Sequence, residues 1–341
     1  MITIDGSYGE GGGQILRTSL ALSLVTGQPF TIENIRAGRK KPGLMRQHLT
    51  AVNAATQIGN AEVSGNQIGS QQIFFEPKEI RPGSYRFAVG TAGSTTLVMQ
   101  TVLPALMVAD GPSELVIEGG THNPYAPPFD FLQKAFLPLI NRMGVKITAD
   151  LEKPGFYPAG GGCFSIHIEP CGKLSGLEII KRGEIVRRKA TAYVSKIPDH
   201  VAKRELKVIA KKLNWDKEFL FIEEVKNSPG PGNILTLEIE SESITEVFTG
   251  FGEYGVRAEQ VAASTIKDVR EYLASEAPVG RYLADQLIVP VALSGGGKIR
   301  TLPPTRHTTT NIDVLVQFLN MDVRLNDLGN HVWEMEIRRQ S

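Results

Sequence analysis

The sequence has little cysteine: only Cys163 and Cys171 in 341 residues. That pair is neither a disulfide framework nor part of a paired CxxC zinc site. Long apolar runs are missing too. One stretch, residues 87–109, carries no charge, but it contains Gly, Ser, Thr, Gln and Pro. Its apolar core, 97–109, is too short to span a bilayer. The opening residues, MITIDGSYGEGGG, have neither the basic nor the apolar region of a secretory signal. These absences predict a soluble cytoplasmic protein with no membrane partner. Charge of one sign is also lacking. The 37 Lys+Arg against 36 Asp+Glu give a formal net of +1, which excludes a uniformly basic coat for nucleic acid. Aromatics at 7% and charged residues at 21% are ordinary for a globular chain and exclude wholesale disorder.

Glycine is abundant, with 35 residues against roughly 7% in average usage. No Gly-X-Y period or low-complexity block accounts for it, so each cluster needs a local reason. Apolar content of 41% is ample for the core of two or three domains.

Apolar periodicity predicts a recurring unit. The first has strand 2–4, helix 13–25, strand 30–35, helix 43–58, and strands 61–63 and 71–75, in the order βαβαββ. The second repeats it with strand 85–89, helix 93–108, strand 114–118, helix 128–143, and strands 145–151 and 163–168. A third opens with strand 177–180 and breaks off. Its remaining parts reappear as helix 281–293, strand 298–302, helix 308–319, and strands 323–325 and 332–337. The intervening segment has its own pattern of four strands and two helices. The expected fold is therefore α/β (α+β), with three repeated βαβαββ units. Residues 1–184 and 279–341 form a large domain, and 185–278 a small four-stranded α+β domain inserted in the third unit. The charged helix of that insert (Lys203, Arg204, Glu205, Lys207, Lys211, Lys212) reads as a solvated face or as an RNA contact.

The most unusual sequences precede the helices. Gly9-Glu10-Gly11-Gly12-Gly13-Gln14 and Gly90-Thr91-Ala92-Gly93-Ser94 lead into first helices; Arg39-Lys40-Lys41-Pro42-Gly43 and Thr305-Arg306-His307 lead into second ones. Free N–H groups and the positive dipole end suit helix starts to anions, and glycine lets a phosphate approach the backbone. Tight strand-to-helix turns are the alternative reason for the glycines. Known phosphate loops do not fit. Gly297-Lys298 lacks the spaced glycine and the Ser/Thr of a Walker A loop. Gln14 stands where a dinucleotide fingerprint needs its third glycine, so a nicotinamide dehydrogenase is excluded despite Glu33.

Charge is unevenly placed. Residues 11–61 hold Arg17, Arg36, Arg39, Lys40, Lys41 and Arg46 against the single acid Glu33, a net of +5, so the other 290 residues sum to −4. Arg forks fit phosphate oxygens; a solvated basic loop is the bland alternative. His307 at a helix start is expected to have a depressed pKa, and a neutral imidazole can attack phosphorus. Asp285 or Gln286 is the expected group to orient it. Carboxylate clusters for a two-metal site are absent, and Glu10 is the best single metal ligand, working beside a substrate's phosphates.

Together these motifs resemble the RNA 3′-terminal phosphate cyclases along nearly the whole chain. The resemblance is carried by Asp5-Gly6-Ser7-Tyr8-Gly9-Glu10-Gly11-Gly12-Gly13-Gln14-Ile15-Leu16-Arg17, Arg36-Ala37-Gly38-Arg39-Lys40-Lys41-Pro42-Gly43, Arg46-Gln47-His48, Gly155-Phe156-Tyr157-Pro158-Ala159-Gly160-Gly161-Gly162, Leu283-Ala284-Asp285-Gln286 and His307. It implies a fold similar to the enolpyruvyl transferases. It also implies an ATP-dependent ligase that turns an RNA 3′-phosphate into a 2′,3′-cyclic phosphate through a histidine-AMP adduct and an RNA-(3′)pp(5′)A intermediate. Residue by residue, His307 would be the nucleophile. Gln100, Tyr282, Leu283, Ala284, Asp285, Gln286, Glu10 and Arg17 would hold ATP. Arg36, Arg39, Gln47 and His48 would hold substrate phosphate, and Glu10 would bind Mg2+ or Mn2+. The alternative is a non-catalytic ribosome-assembly relative, which the presence of His307 disfavours.

Overall fold

The computed structural model describes residues 1–340 and shows a mixed α/β protein built on four four-stranded sheets. The first sheet collects β1 (Ile2–Asp5), β2 (Phe30–Glu33), β3 (Glu62–Ser64) and β4 (Ile73–Glu76), in the order β1-β2-β4-β3. Its helices are α1 (Gly13–Thr26) and α2 (Arg46–Ile58). The second sheet, β5 (Ser84–Ala88), β6 (Ser113–Gly119), β7 (Lys146–Lys153) and β8 (Gly162–Glu169), repeats that order as β5-β6-β8-β7. In both, the first two strands are parallel and the rest antiparallel. The second unit's helices are α3 (Thr95–Leu106) and an interrupted one, α4 (Phe129–Phe131) and α5 (Leu137–Asn141), with a π-helical stretch Leu132–Phe136 between them.

After β9 (Leu177–Ile179) the chain makes a separate sheet before returning. That sheet runs β11-β10-β12-β13, from β10 (Ile185–Ser195), β11 (Leu220–Glu224), β12 (Gly232–Ser241) and β13 (Thr245–Phe251). Its helices are α6 (His200–Leu213) and α7 (Ala258–Ala274). The return supplies α8 (Arg281–Leu293), β14 (Gly296–Thr301), α9 (Arg306–Phe318), β15 (Met321–Asp327) and β16 (Trp333–Arg339). With β9 these strands form a sheet in the order β9-β14-β16-β15, the same relative order again.

The two larger of three apolar clusters follow this division, and a small third one, Phe156, Val225 and Ile234, bridges it. One runs through the three like-ordered sheets, from Leu16 and Phe30 through Phe164 to Leu287 and Met335. The other joins Ala190, Leu237, Val269 and Tyr272 around β10–β13. Helix α1 is apolar on nearly every face, as a central helix must be. It packs on α2, α3 and α9, and buries Leu16, Leu20, Leu22 and Leu24. Its buried serine hydroxyls are satisfied locally: Ser19 Oγ donates to Ile15 O at 2.7 Å and Ser23 Oγ to Gln28 O at 2.6 Å.

Three expected helices differ in extent. Helix α2 starts at Arg46 rather than Gly43, because Gly43 has φ +76° and spends its N–H on Ile35 O. Helix α3 starts at Thr95 rather than Gly93, because the Ser94 side chain caps Leu97 N–H. The single helix expected over 128–143 is broken: Pro138 has no N–H to return to Lys134, and the ladder loosens into the π-helical stretch just ahead of it.

Candidate active site

Helices α1 and α9 are far apart in sequence but lie side by side, and side-chain bonds set their register. Thr18 Oγ1 donates to Asn311 Oδ1 at 2.7 Å. In the loop just ahead of α1, Glu10 N–H donates to Thr310 Oγ1 at 3.1 Å. That register brings Gln14 of α1 opposite His307, the second residue of α9. His307 Nδ1 lies 2.6 Å from Gln14 Oε1, and Gln14 Nε2 donates to His307 O at 3.3 Å.

Around the start of α1 a small set of charges converges. Arg39 reaches in from the loop before α2, pairs with Glu10 Oε1, and donates to Glu10 O at 3.1 Å. Glu10 Oε2 is buried with no hydrogen-bond partner. Arg17, one turn into α1, has no ion-pair partner among the described residues. Burial pulls its pKa down to about 10, against the attraction of Glu10, so it stays cationic at neutral pH. Glycine is required where these groups meet: a Cβ on Gly13 would stand 2.8 Å from Arg17 Nη1 and collide with His48 Nε2.

His48 is buried on α2, where its Nδ1 accepts Met45 N–H at 3.2 Å and caps the helix. Burial, then Arg17 and Arg36, push its pKa to about 3, so it is neutral and presents Nε2–H toward α1. His307 is also held below its ordinary value. Burial is the largest cause, Arg17 and Arg39 add to it, and Glu10 opposes. The imidazole stands at an open mouth, yet neighbouring atoms crowd it enough for desolvation to lead.

His307, Gln14, Arg17, Gln100, Tyr282, Asp285 and Gln286 all line one cleft of about 850 Å3. The amides of Gln100 and Gln286 bond to each other across α3 and α8. Tyr282 stands 58% exposed at the lip, available to cover a flat ring.

Several expected site residues sit differently. Asp285 does not orient His307. It takes hydrogen bonds from Thr305 Oγ1 (2.9 Å) and from the Thr308 hydroxyl, and so pins the start of α9. Burial raises its pKa to about 6 while the two hydroxyls oppose that rise. Gln286 also faces away, toward Gln100; the residue that holds the imidazole is Gln14, which the motifs include without assigning it a role. Leu283 and Ala284 point into the core, 0% and 1% exposed, because they occupy the apolar face of α8, so only their backbone could touch a ligand. Arg36 is spent on its own loop: its Nη1 donates to Lys41 O at 2.8 Å and Gly43 O at 2.7 Å. Gln47 turns toward the neighbouring loop, where its Oε1 accepts Ser94 N–H at 2.6 Å.

A cleft with an unpartnered guanidinium, converging helix starts and a neutral histidine at its mouth has the build of an enzyme that handles phosphates. Comparison with known proteins agrees. The family model described as RNA 3′-terminal phosphate cyclase matches residues 8–325. A protein of Koribacter versatilis (strain Ellin345), named RNA 3′-terminal phosphate cyclase, is 52% identical over 330 residues, covering 97% of this chain and 93% of its own length. The chain belongs to the RNA 3′-terminal phosphate cyclase family. No helix among the described residues is long and apolar enough to cross a membrane.

Proposed function

We propose that the chain converts an RNA 3′-phosphate to a 2′,3′-cyclic phosphodiester at the expense of ATP, with His307 as the nucleophile. The observation that carries this reading is the Gln14–His307 contact beside Arg17 and Arg39 at the mouth of the cleft. A 3′-phosphate is a poor electrophile because oxide is a hopeless leaving group. Attack of His307 on the α-phosphorus of ATP forms a P–N bond and breaks the bond to pyrophosphate. AMP then moves from the histidine to the RNA 3′-phosphate, giving RNA-(3′)pp(5′)A. The vicinal 2′-hydroxyl attacks the phosphorus of the RNA 3′-phosphate, loses its proton and expels AMP, closing the 2′,3′-ring. Such transfers need positioning and cationic stabilisation more than covalent machinery.

Gln100, Gln286 and Tyr282 are suited to the nucleoside, and Arg17 and Arg39 to phosphate oxygens. His48 supports the site as a neutral donor and helix cap. For Arg36 we infer an indirect role, holding the basic loop in shape. Glu10 Oε2, buried and unpartnered, suits a hard divalent ion such as Mg2+ or Mn2+. With one carboxylate available, phosphate oxygens and water would complete its shell. Such an ion would neutralise phosphate charge.

We read residues 1–184 and 279–341 as the catalytic body, a repeat of three βαβαββ units similar to the enolpyruvyl transferases, and 185–278 as an inserted unit. The expected setting is the cytoplasm. The test is labelling with α-labelled ATP and magnesium, followed by denaturation. Wild type should carry acid-labile AMP and His307→Ala should carry none; label that survives the substitution overturns the assignment.

A further inference from the structure

We propose that a second cavity beside the cleft is a stacking platform for the nucleotides immediately 5′ of the reacting phosphate, with Tyr125 and Tyr157 as its aromatic faces. The inference rests on the RNA reading above and adds to it a path for the strand.

It starts from the glycine-rich segment 155–162, which the chemistry leaves without a role. Gly160 has φ +67°, and a Cβ there would stand 2.6 Å from Ala92 Cα and 3.0 Å from Thr91 O. The turn is thus pressed backbone to backbone against the loop before α3. This close packing carries Tyr157 to the rim of a cavity of about 500 Å3 that Thr91, Ala92, Asn123 and Tyr125 also line.

Three features suit this cavity to bases. Tyr125 and Tyr157 are 99% and 63% exposed. Tyr125 also holds a left-handed backbone, φ +63°, an unfavourable state for a bulky side chain that here buries no apolar surface. Asn123, 7% exposed, lines the cavity as a polar amide whose Nδ2 donates to Ala92 O. The lining includes no charged side chain, which favours bases over phosphates inside. At its outer edge the exposed Arg46 lies 3.6 Å from the Cβ position of Gly90 and makes no ion pair among the described residues, within reach of a strand's backbone.

Continuity decides the occupant. Leu97, Pro124, Tyr125 and Ala126 line both this cavity and the large cleft, so a chain whose 3′ end lies in the cleft passes directly into it. Single-stranded RNA is recognised by unstacked bases on aromatic faces beside cations.

The test uses the full-length protein and an RNA oligonucleotide with a 3′-phosphate and 2-aminopurine as its penultimate base. Binding to wild type should quench the fluorophore. Tyr157→Ala should reduce the quench and weaken oligonucleotide binding about tenfold, Tyr157→Phe should retain both, and Tyr125→Ala should weaken binding further. The loss should be confined to oligonucleotides, with a nucleoside 3′,5′-bisphosphate binding alike to Tyr157→Ala and wild type. Equal quenching in Tyr157→Ala and wild type overturns the platform. So does an equal loss with the bisphosphate, or a dimer that Tyr157→Ala dissociates, which would make this face a contact between copies. The fluorescence requires no ATP. Failure of His307 labelling would therefore sink the functional reading while the quench still decided the platform.

Discussion

His307 Nδ1 and Gln14 Oε1 lie 2.6 Å apart, although 293 positions separate them in the chain. An amide oxygen can only accept, so Nδ1 must carry the proton and Nε2 the lone pair. Gln14 thus selects the tautomer and aims the ring. Gln14→Ala should lower the rate of self-adenylylation about 10- to 100-fold with little change in the KM for ATP. Single-turnover labelling measures it. A change confined to KM would show that Gln14 binds ATP instead of holding His307.

The charges around His307 fix the direction of its pH response. Burial, Arg17 and Arg39 lower its pKa below the ordinary value of 6.5, and Glu10 raises it. A depressed value keeps the imidazole neutral on the acid side of 6.5, so the acid limb of the adenylylation profile should fall there. Arg39→Ala removes a cation and frees the Glu10 carboxylate, and both changes should move that limb to higher pH. Glu10→Gln should move it lower. Movement of both variants in the same direction would contradict this account of the site's electrostatics.

Part of this was legible in the sequence. Strands and helices were readable where the apolar period was regular, as in α1, α8 and β12, because burial of one stripe or face writes itself into residue order. The basic run and His307 stood out by charge and composition. What sets the imidazole's orientation did not, since a contact such as Gln14–His307 leaves no local trace. It arises only when Thr18–Asn311 and Glu10–Thr310 align two remote helices. The roles of Arg36, Leu283 and Ala284 were obscured for a similar reason. A motif names residues but not which way they face, and Arg36 turned out to face its own loop.

Glu246, which lines the cleft at the start of α8, offers a test of how that part of its wall is held. It is 2% exposed, accepts Gly280 N–H at the start of α8, and has a pKa raised by burial to about 8. A carboxyl with a raised folded-state value binds more protons folded than unfolded. Its contribution is full below the unfolded value near 4.5 and is lost as pH rises through 8. Glu246→Gln keeps an acceptor for Gly280 but cannot ionise. Relative to wild type it should gain stability between pH 5 and pH 9, on the order of 3 kcal/mol. Urea titrations at the two pH values measure this, and parallel losses in both proteins would refute it.

Asp130 tests how the β10–β13 sheet is fastened to the rest. Asp130 Oδ2 lies 3.0 Å from His122 Nε2, and its Oδ1 takes Tyr193 OH at 3.3 Å and Lys134 Nζ at 3.2 Å. Lys134 continues to Glu238 of β12 at 2.8 Å. Burial alone would raise the Asp130 pKa, but His122 and Lys134 overcome it and hold the carboxyl far below its usual range. Its stabilisation is therefore present above the unfolded value of 3.8 and lost as pH falls below it. Asp130→Asn should cost about 3–5 kcal/mol at pH 7, and the gap from wild type should narrow as pH falls through 3.8, because the unfolded carboxyl then takes up a proton that the native one does not. Because Tyr193 and Glu238 belong to β10 and β12, hydrogen exchange in those strands should quicken before it does in β1 or β6. A uniform rise across all four sheets would mean that this cluster stabilises the protein as a whole without acting as the fastening between its parts.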